Sequence, residues 1–500
     1  MKNQIVIGFD KTKFLDLQTN KILERVGRFE RLYLEIGGKM IDDLHAKRVL
    51  PGFDPASKIK VLSSLKDRLE VIVCVSAVDL ERNKIRSDNH MSYADEAIRL
   101  IKFLRQKEIL VSSVVITLFD GQKRAQLFAK KLQDLDLEIH FHSRTAGYPT
   151  DVDLIVSPEG YGKNSFVKTS RKIVVVTAPG PSSGKMATCL SQIYHEAAVG
   201  RMVGYAKYET FPVWNLPLNH PVNVAYEAAT LDLFDKNMID PYHLAAYGET
   251  AVNYNRDVEA FPVLKRIFDR IYGREIYKSP TDMGVNVIAE AIVDDQLVCE
   301  AAKQEIIRRY FHAKLDNRFG ELDDRALERA ELLMENVGIS PDDRQVVCLA
   351  HQKYDLLCQQ NPECVNQAAA IELTDGLTAV GKKSLILSAV AATVLNILKM
   401  IAGIDDKIFL LPPEILTPIS RIKREKLGMI DSELSLEEVI FALTVTATTN
   451  PMAKLVLAHL DDLAGAQLHS TELLSDRDQS ICRHLAIDVT MGVVEDKGDL

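Results

Sequence analysis

Five hundred residues, at roughly 150 per domain, imply about three domains and exclude a single compact module. The chain is 47% hydrophobic, 26% charged and 7% aromatic, a globular composition that excludes wholesale disorder. Lys plus Arg number 61 against 70 Asp plus Glu, a net charge of -9 with no long block of either sign, so no nucleic-acid partner is expected.

From the N-terminus to about residue 200, short β-branched runs alternate with amphipathic ones. The runs are Ile5-Val6-Ile7, 32–36, 71–75, 114–118, Leu154-Ile155-Val156 and 173–176. Continuous Val/Ile runs predict strands buried on both faces of a parallel sheet, and Ala97, Ile98, Ile101 and Leu104 predict a helix over 94–107 between two of them. This reads as a Rossmann-like α/β domain over 1–222. Residues 204–222, rich in proline and aromatics, read as an ordered crossing segment. A mainly helical domain is expected over 223–338, and a C-terminal α+β domain over 339–500. The latter includes a strand-like 344–349, a small-residue helix over 385–400 and a proline-punctuated 410–418, with no fixed repeat.

The most informative segment is KIVVVTAPGPSSGKMATCLSQIYHEAAVG, residues 172–200. A buried strand, a turn rich in Gly, Pro and Ser, and a helix stopped by Gly200 form the context of a phosphate-binding loop, where helix-start amides and a lysine meet an anion. Gly180, Ser182, Ser183, Gly184 and Lys185 are the candidate residues. The spacing has three residues rather than four between Gly180 and Gly184, and Met186 stands where Ser or Thr usually holds magnesium, so any metal ligand comes from elsewhere, with Ser182, Ser183 and Thr188 near in sequence.

Gly-Lys pairs recur at 38–39, 162–163 and 381–382. Lys39 follows a predicted strand. Asp375, Lys382 and Ser384, before the predicted helix over 385–400, form a candidate second site. The polar cluster 79–88 follows the strand ending near Val75, where ligand-orienting groups of open α/β sheets belong, and Arg82, Lys84 and Arg86 are candidates for stabilising phosphate charge. Asp120 and Glu159, ending strand-like runs, are candidate Mg²⁺ ligands. Glu227, Asp232 and Asp240 are further candidate contacts without a diagnostic spacing. His140 and His142 share a strand side but have no zinc-spaced partners and read as structural, as do Cys358 and Cys364; His469 reads as a loop histidine that is a candidate for donating to an anion or for proton transfer.

Seven scattered cysteines read as reduced thiols of a cytoplasmic protein. The apolar start is too short for an export signal, and the longest uncharged stretches, 384–398 and 439–453, are too short for a membrane span.

The segments VVVTAPGPSSGKMATCLSQIYHE, YAKYETFPVWNLPLNHPVNVAYEAATLDL, IDPYHLAAYGETAVNYNRDVEAFPVL, SPTDMGVN and ELTDGLTAVGKKS together resemble the bacterial family called domain of unknown function 1846, over nearly the whole chain. The resemblance implies a Rossmann-like domain, a helical insert and a C-terminal part similar in topology to cytidine-deaminase-like domains. Deaminase chemistry is not implied, because the zinc signature of those enzymes is absent. The resemblance also implies binding of ATP or another nucleotide, hydrolysis with a divalent metal such as Mg²⁺, and a homo-oligomer. The family loop more often reads GPGSGK, and Ser182 replaces its middle glycine here. A Mg²⁺-dependent ATP phosphohydrolase or phosphotransferase is therefore the expected function. The alternatives are a Rossmann-like enzyme acting on another phosphorylated small molecule, and a non-catalytic oligomeric assembly protein. A dinucleotide is disfavoured because no G-x-G-x-x-G follows the first strand.

Overall fold

A computed structural model describes residues 7–86, 91–363, 365–429 and 433–492. The chain divides into two compact units, Met1–Glu305 and Ile306–Leu500. The first unit is built on seven strands: β1 (Arg31–Ile36), β2 (Leu69–Ser76), β3 (Val111–Thr117), β4 (Glu138–Phe141), β5 (Ile173–Thr177), β6 (Val203–Tyr208) and β9 (Gly284–Val285). Their order is β4-β3-β2-β5-β1-β6-β9, and every pair is parallel. A two-stranded antiparallel ribbon, β7 (Asn237–Ile239) with β8 (Val252–Tyr254), lies outside this sheet.

Alternation along the strands sends side chains into two separate cores. Leu32, Leu34, Val71, Val73, Val75, Val114, Ile173 and Val175 face one core, under helices Tyr93–Gln106 and Lys123–Gln133. Tyr33, Ile72, Cys74, Val174, Val176 and Tyr205 face the other, with Cys189, Leu190 and Ile193 of helix Lys185–Ala198 and Phe261 and Leu264 of helix Asn255–Tyr272. Each of these side chains stabilises the fold by about 1.5–3 kcal/mol on burial, which is why the runs are Val/Ile-rich on both faces.

Three local expectations are corrected. Leu154 and Ile155 lie in helix Val152–Ile155, because the Asp151 carboxylate accepts from the Leu154 amide and caps it. Residues 204–208 are not a crossing segment but most of β6, fully buried between β1 and β9; the proline-broken stretch starts only at Pro212. Residues 345–349 open helix Gln345–Gln360 instead of forming a strand. Of the first predicted strand, Ile5 and Val6 lie outside the described residues, and Ile7 is irregular and half exposed.

The second unit carries a four-stranded mixed sheet, order β11-β10-β12-β13, made of β10 (Ala368–Glu372), β11 (Thr378–Lys382), β12 (Gln467–Ser470) and β13 (Asp488–Met491). Only the β12–β13 pair is parallel. The sheet packs on helices Ala389–Ile401 and Leu436–Thr446 through Ile371, Val394, Ile397, Val439 and Leu468.

Candidate functional site

The strand β5 lies between β2 and β1. The chain leaves β1 toward one edge of the sheet and leaves β5 toward the other, so the carboxyl end of β5 is a topological switch point, the place where open α/β sheets bind ligands. The loop 178–184 emerges there, and helix Lys185–Ala198 starts directly after it. Gly184 has φ +77°, and a methyl group on it would lie 2.9 Å from Thr117 Cβ, so both backbone shape and space require glycine. Ser182 also takes a left-handed φ, +55°. Ser183 is buried, its hydroxyl donating to the Gly180 carbonyl at 2.9 Å, and Thr117 Oγ1 donates to the Ser183 carbonyl at 2.8 Å.

The helix has no side-chain cap. Within the described residues the amides of Gly184, Lys185, Met186 and Ala187 meet no acceptor. Lys185 is half-buried and has no hydrogen-bond or ion-pair partner among the described residues. Its charge acts on Cys74 and Cys189 beneath it; burial still dominates, pushing the Cys74 thiol up to about 12 and the Cys189 thiol well above its usual value. Open amides, the positive end of a helix and an unpaired ammonium form an anion-accepting surface.

The other predicted cations belong to the strands on either side. Arg86, after β2, donates to the Pro179 carbonyl and lies 3.7 Å from Glu96, so it braces the loop. Lys84 lies over the Tyr93 ring, 5.1 Å from its centroid, and 3.7 Å from Asp79. Tyr93 in turn packs on the loop: a methyl group on Gly180 would lie 2.4 Å from its hydroxyl. Arg82 is exposed. Lys39, after β1, is exposed, and its carbonyl accepts from Lys58 Nζ at 2.9 Å. The fold thus gathers Lys39, Arg82, Lys84, Arg86 and Lys185 at the carboxyl ends of three adjacent strands. Ser87 and Asp88 lie outside the described residues.

Asp375, Lys382 and Ser384 belong to the second unit and do not open a helix. Asp375 accepts from the Leu377 amide in the turn joining β10 to β11, Lys382 ends β11, and Ser384 Oγ accepts from the amides of Ile386 and Leu387. The helix begins only at Ala389, capped by Ser388. Gly381 is in the β ladder opposite Ala369, and a methyl group there would lie 2.4 Å from the Thr393 amide nitrogen. Close helix packing, not phosphate approach, explains that glycine.

The oxygen and nitrogen candidates sort in the same way. Asp240 is buried, and its carboxylate accepts from the amides of Tyr242, His243 and Thr281 and from the Thr281 hydroxyl; it is a helix cap with its acceptor sites filled. Glu227 accepts from the Asn237 amide, and Asp232, Asp120 and Glu159 are exposed in turns or short 3-10 structure. His140 and His142 both bond Ser165, and burial lowers His142 to about 4. Cys364 lies outside the described residues; the other six cysteines are free thiols. The Thr188 hydroxyl, buried, accepts from Cys74 Sγ at 3.4 Å and is not open to a metal.

Beside the loop is a cluster that no sequence motif announced. Met186 lines a cavity with room for about one water molecule, together with Tyr205, Lys207, Glu209, Trp214 and Asp257. Lys207 Nζ donates to Asp257 Oδ2 at 2.7 Å and to the Tyr254 hydroxyl, and lies 2.9 Å from Glu209 Oε1. Tyr254 donates to Glu209 at 3.1 Å, and Tyr205 donates to Glu35 at 2.8 Å. Glu35 and Lys207 are register partners on β1 and β6. Burial alone would depress the Lys207 ammonium, but Asp257 and Glu209 outweigh it and hold it above the ordinary lysine range. Burial raises Glu209 to about 7, with Asp257 and Glu35 adding to the rise against the pull of Lys207. Three carboxylates around one ammonium thus leave one carboxyl poised to exchange a proton near neutrality.

Among the described residues no helix is long and apolar enough to cross a membrane. The fold defines a two-unit α/β protein whose first unit is a Rossmann-like parallel sheet with an uncapped helix start at its switch point. Residues 7–338 match the family described as domain of unknown function DUF1846, N-terminal, and residues 342–497 its C-terminal counterpart. The chain belongs to this family. It is 51% identical over 490 residues to the UPF0371 protein FN1121 of Fusobacterium nucleatum, and 50% identical over 486 residues to a UPF0371 protein of Clostridium tetani, with 97% of each chain covered in both cases.

Proposed function

We propose that the first unit binds ATP or another nucleotide together with Mg²⁺ and transfers the terminal phosphoryl group to water or to a small acceptor. The observation that carries this reading is the unpaired Lys185 beside four open amides at the switch point of a parallel sheet. In it, the 180–185 segment cradles phosphates, Lys185 neutralises their charge, and Lys39, Arg82 and Lys84 add positive field around them. Arg86 positions the loop through Pro179. Magnesium, a hard cation, needs oxygen ligands. With Met186 in place of a hydroxyl residue, Thr188 occupied, and Glu209 and Asp257 both paired with Lys207, phosphate oxygens of the nucleotide and water supply the ligands of the ion. Glu209, near half protonation at neutral pH, is suited to take a proton from an attacking hydroxyl.

The test is thermal unfolding with ATP, ADP or GTP, with and without Mg²⁺. A ligand at 100 times its Kd stabilises by about 2.7 kcal/mol, so wild type is expected to shift upward. Lys185→Ala is expected to lose most of the shift while unfolding normally without ligand. Absence of a shift in wild type with every nucleotide overturns the reading.

A further inference from the structure

A second group of side chains in the first unit, separate from the loop, has the composition and spacing of a metal centre. Helix Asp295–Arg318 presents Asp295 and Cys299, one turn apart, on the same face. His220, at the N-cap of helix Pro221–Ala228, meets them. Its Nε2 lies 3.0 Å from Asp295 Oδ1 and 3.5 Å from Cys299 Sγ, and Cys299 Sγ lies 3.9 Å from Asp295 Oδ2. One ligand atom from each residue falls within 4.8 Å of the other two. Tetrahedral zinc, with bonds of about 2.0–2.1 Å to N or O and about 2.3 Å to S, separates its ligands by roughly 3.3–3.6 Å. His220 Nε2 already stands near those separations from both of its partners, and small side-chain rotations of Asp295 and Cys299 close the triangle.

We propose that His220, Asp295 and Cys299 form a three-ligand site for Zn²⁺ or a similar borderline-soft divalent ion. Imidazole and thiolate select such a metal over magnesium, which prefers oxygen throughout. His220 is nearly buried, Cys299 is half-buried and Asp295 is exposed, so the ion enters from solvent and keeps a fourth position for water or a ligand.

The metal-free state is a hydrogen-bonded version of the same arrangement. His220 Nδ1 accepts from the Val222 amide at 3.3 Å, so the imidazole proton sits on Nε2 and is shared with Asp295. Binding releases the Cys299 thiol proton to solvent and moves the imidazole proton from Nε2 to Nδ1. The long Val222 bond is exchanged for a coordinate bond to the metal.

The experiment is a Co²⁺ titration of the full chain after treatment with a chelator. The expected result is one equivalent bound, with a thiolate-to-cobalt charge-transfer band and tetrahedral d–d absorption, both abolished by added Zn²⁺. Cys299→Ser is expected to lose the charge-transfer band. His220→Ala and Asp295→Asn are each expected to weaken binding by roughly tenfold or more. Circular dichroism establishes that each variant is folded, and Asp295→Asn, at an exposed position, remains a readable probe if His220→Ala does not fold. The proposal is overturned if folded wild type shows no charge-transfer band, or if Cys299→Ser keeps both the band and the affinity of wild type.

Discussion

Glu209 owes its behaviour to where the backbone stops being β6. A methyl group on Gly37 would lie 2.3 Å from Glu209 Cγ, so a glycine lets the carboxyl press against the end of β1, out of water and near two other acids. Its folded pKa, about 7, lies above the ordinary 4.5, so the folded chain holds a proton there that the unfolded chain gives up. Its contribution is therefore largest below about pH 4.5 and is lost as pH rises through 7. Glu209→Gln removes that loss, and its thermal midpoint is expected to exceed wild type at pH 8 but not at pH 5, the unfolding free energies differing by on the order of 1 kcal/mol or more. Gly184→Ala should act in the opposite way at every pH. A left-handed φ and the Thr117 side chain both resist a Cβ, and a loss of about 1–3 kcal/mol in unfolding free energy, read as a lower denaturant midpoint, is expected.

At the scale of elements, what the sequence disclosed follows from how local each signal is. The strands β2, β3 and β5 are buried on both faces, and such strands are written as unbroken Val/Ile runs. By contrast β6 carries Gly204, Tyr205, Lys207 and Tyr208, residues chosen for partners on β1 and on helix Asn255–Tyr272, so it reads as neither strand nor site until those partners are in place. The Lys207–Glu209–Asp257 cluster was illegible for the same reason, since 50 positions separate its outer members. The loop at Lys185 was legible because strand, turn and helix start are contiguous. The pair at Gly381 shows the opposite limit, because a glycine beside a lysine looks alike whether it admits an anion or a helix. Gly381→Ala forces the Ala389–Ile401 helix off β11 and is expected to lower the second unit's unfolding free energy by about 1–3 kcal/mol, read as a lower midpoint, with no effect on any nucleotide response of the first.

Across the whole chain, each unit buries a histidine in its neutral form. Burial lowers His142 in the first unit to about 4, and burial with the neighbouring His351 and Arg344 lowers His469, which lies buried in β12 rather than in the loop its sequence context suggested, to about 3. The unfolded chain takes up protons at these residues near 6.5, so their contribution is complete above that pH and is lost as pH falls through 4 and 3. His142→Gln and His469→Gln should each flatten the fall in thermal midpoint between pH 6.5 and 4, and each should lower the midpoint at pH 7.5 through lost contacts. An unchanged acid slope in both variants would assign acid sensitivity to other groups.

The central place of β5 also bears on biosynthesis. Ribosomes deliver β1, β2, β3 and β4 first, yet β1 pairs only with β5 and β6, and β2 keeps an unpaired edge until β5 arrives. A nascent chain shorter than Thr177 therefore displays three strand edges without their partners, both of β1 and one of β2, a template for pairing with other chains. Release products ending before that residue should be insoluble, and the turn at 178–184 takes its shape only once β5 has entered between β2 and β1.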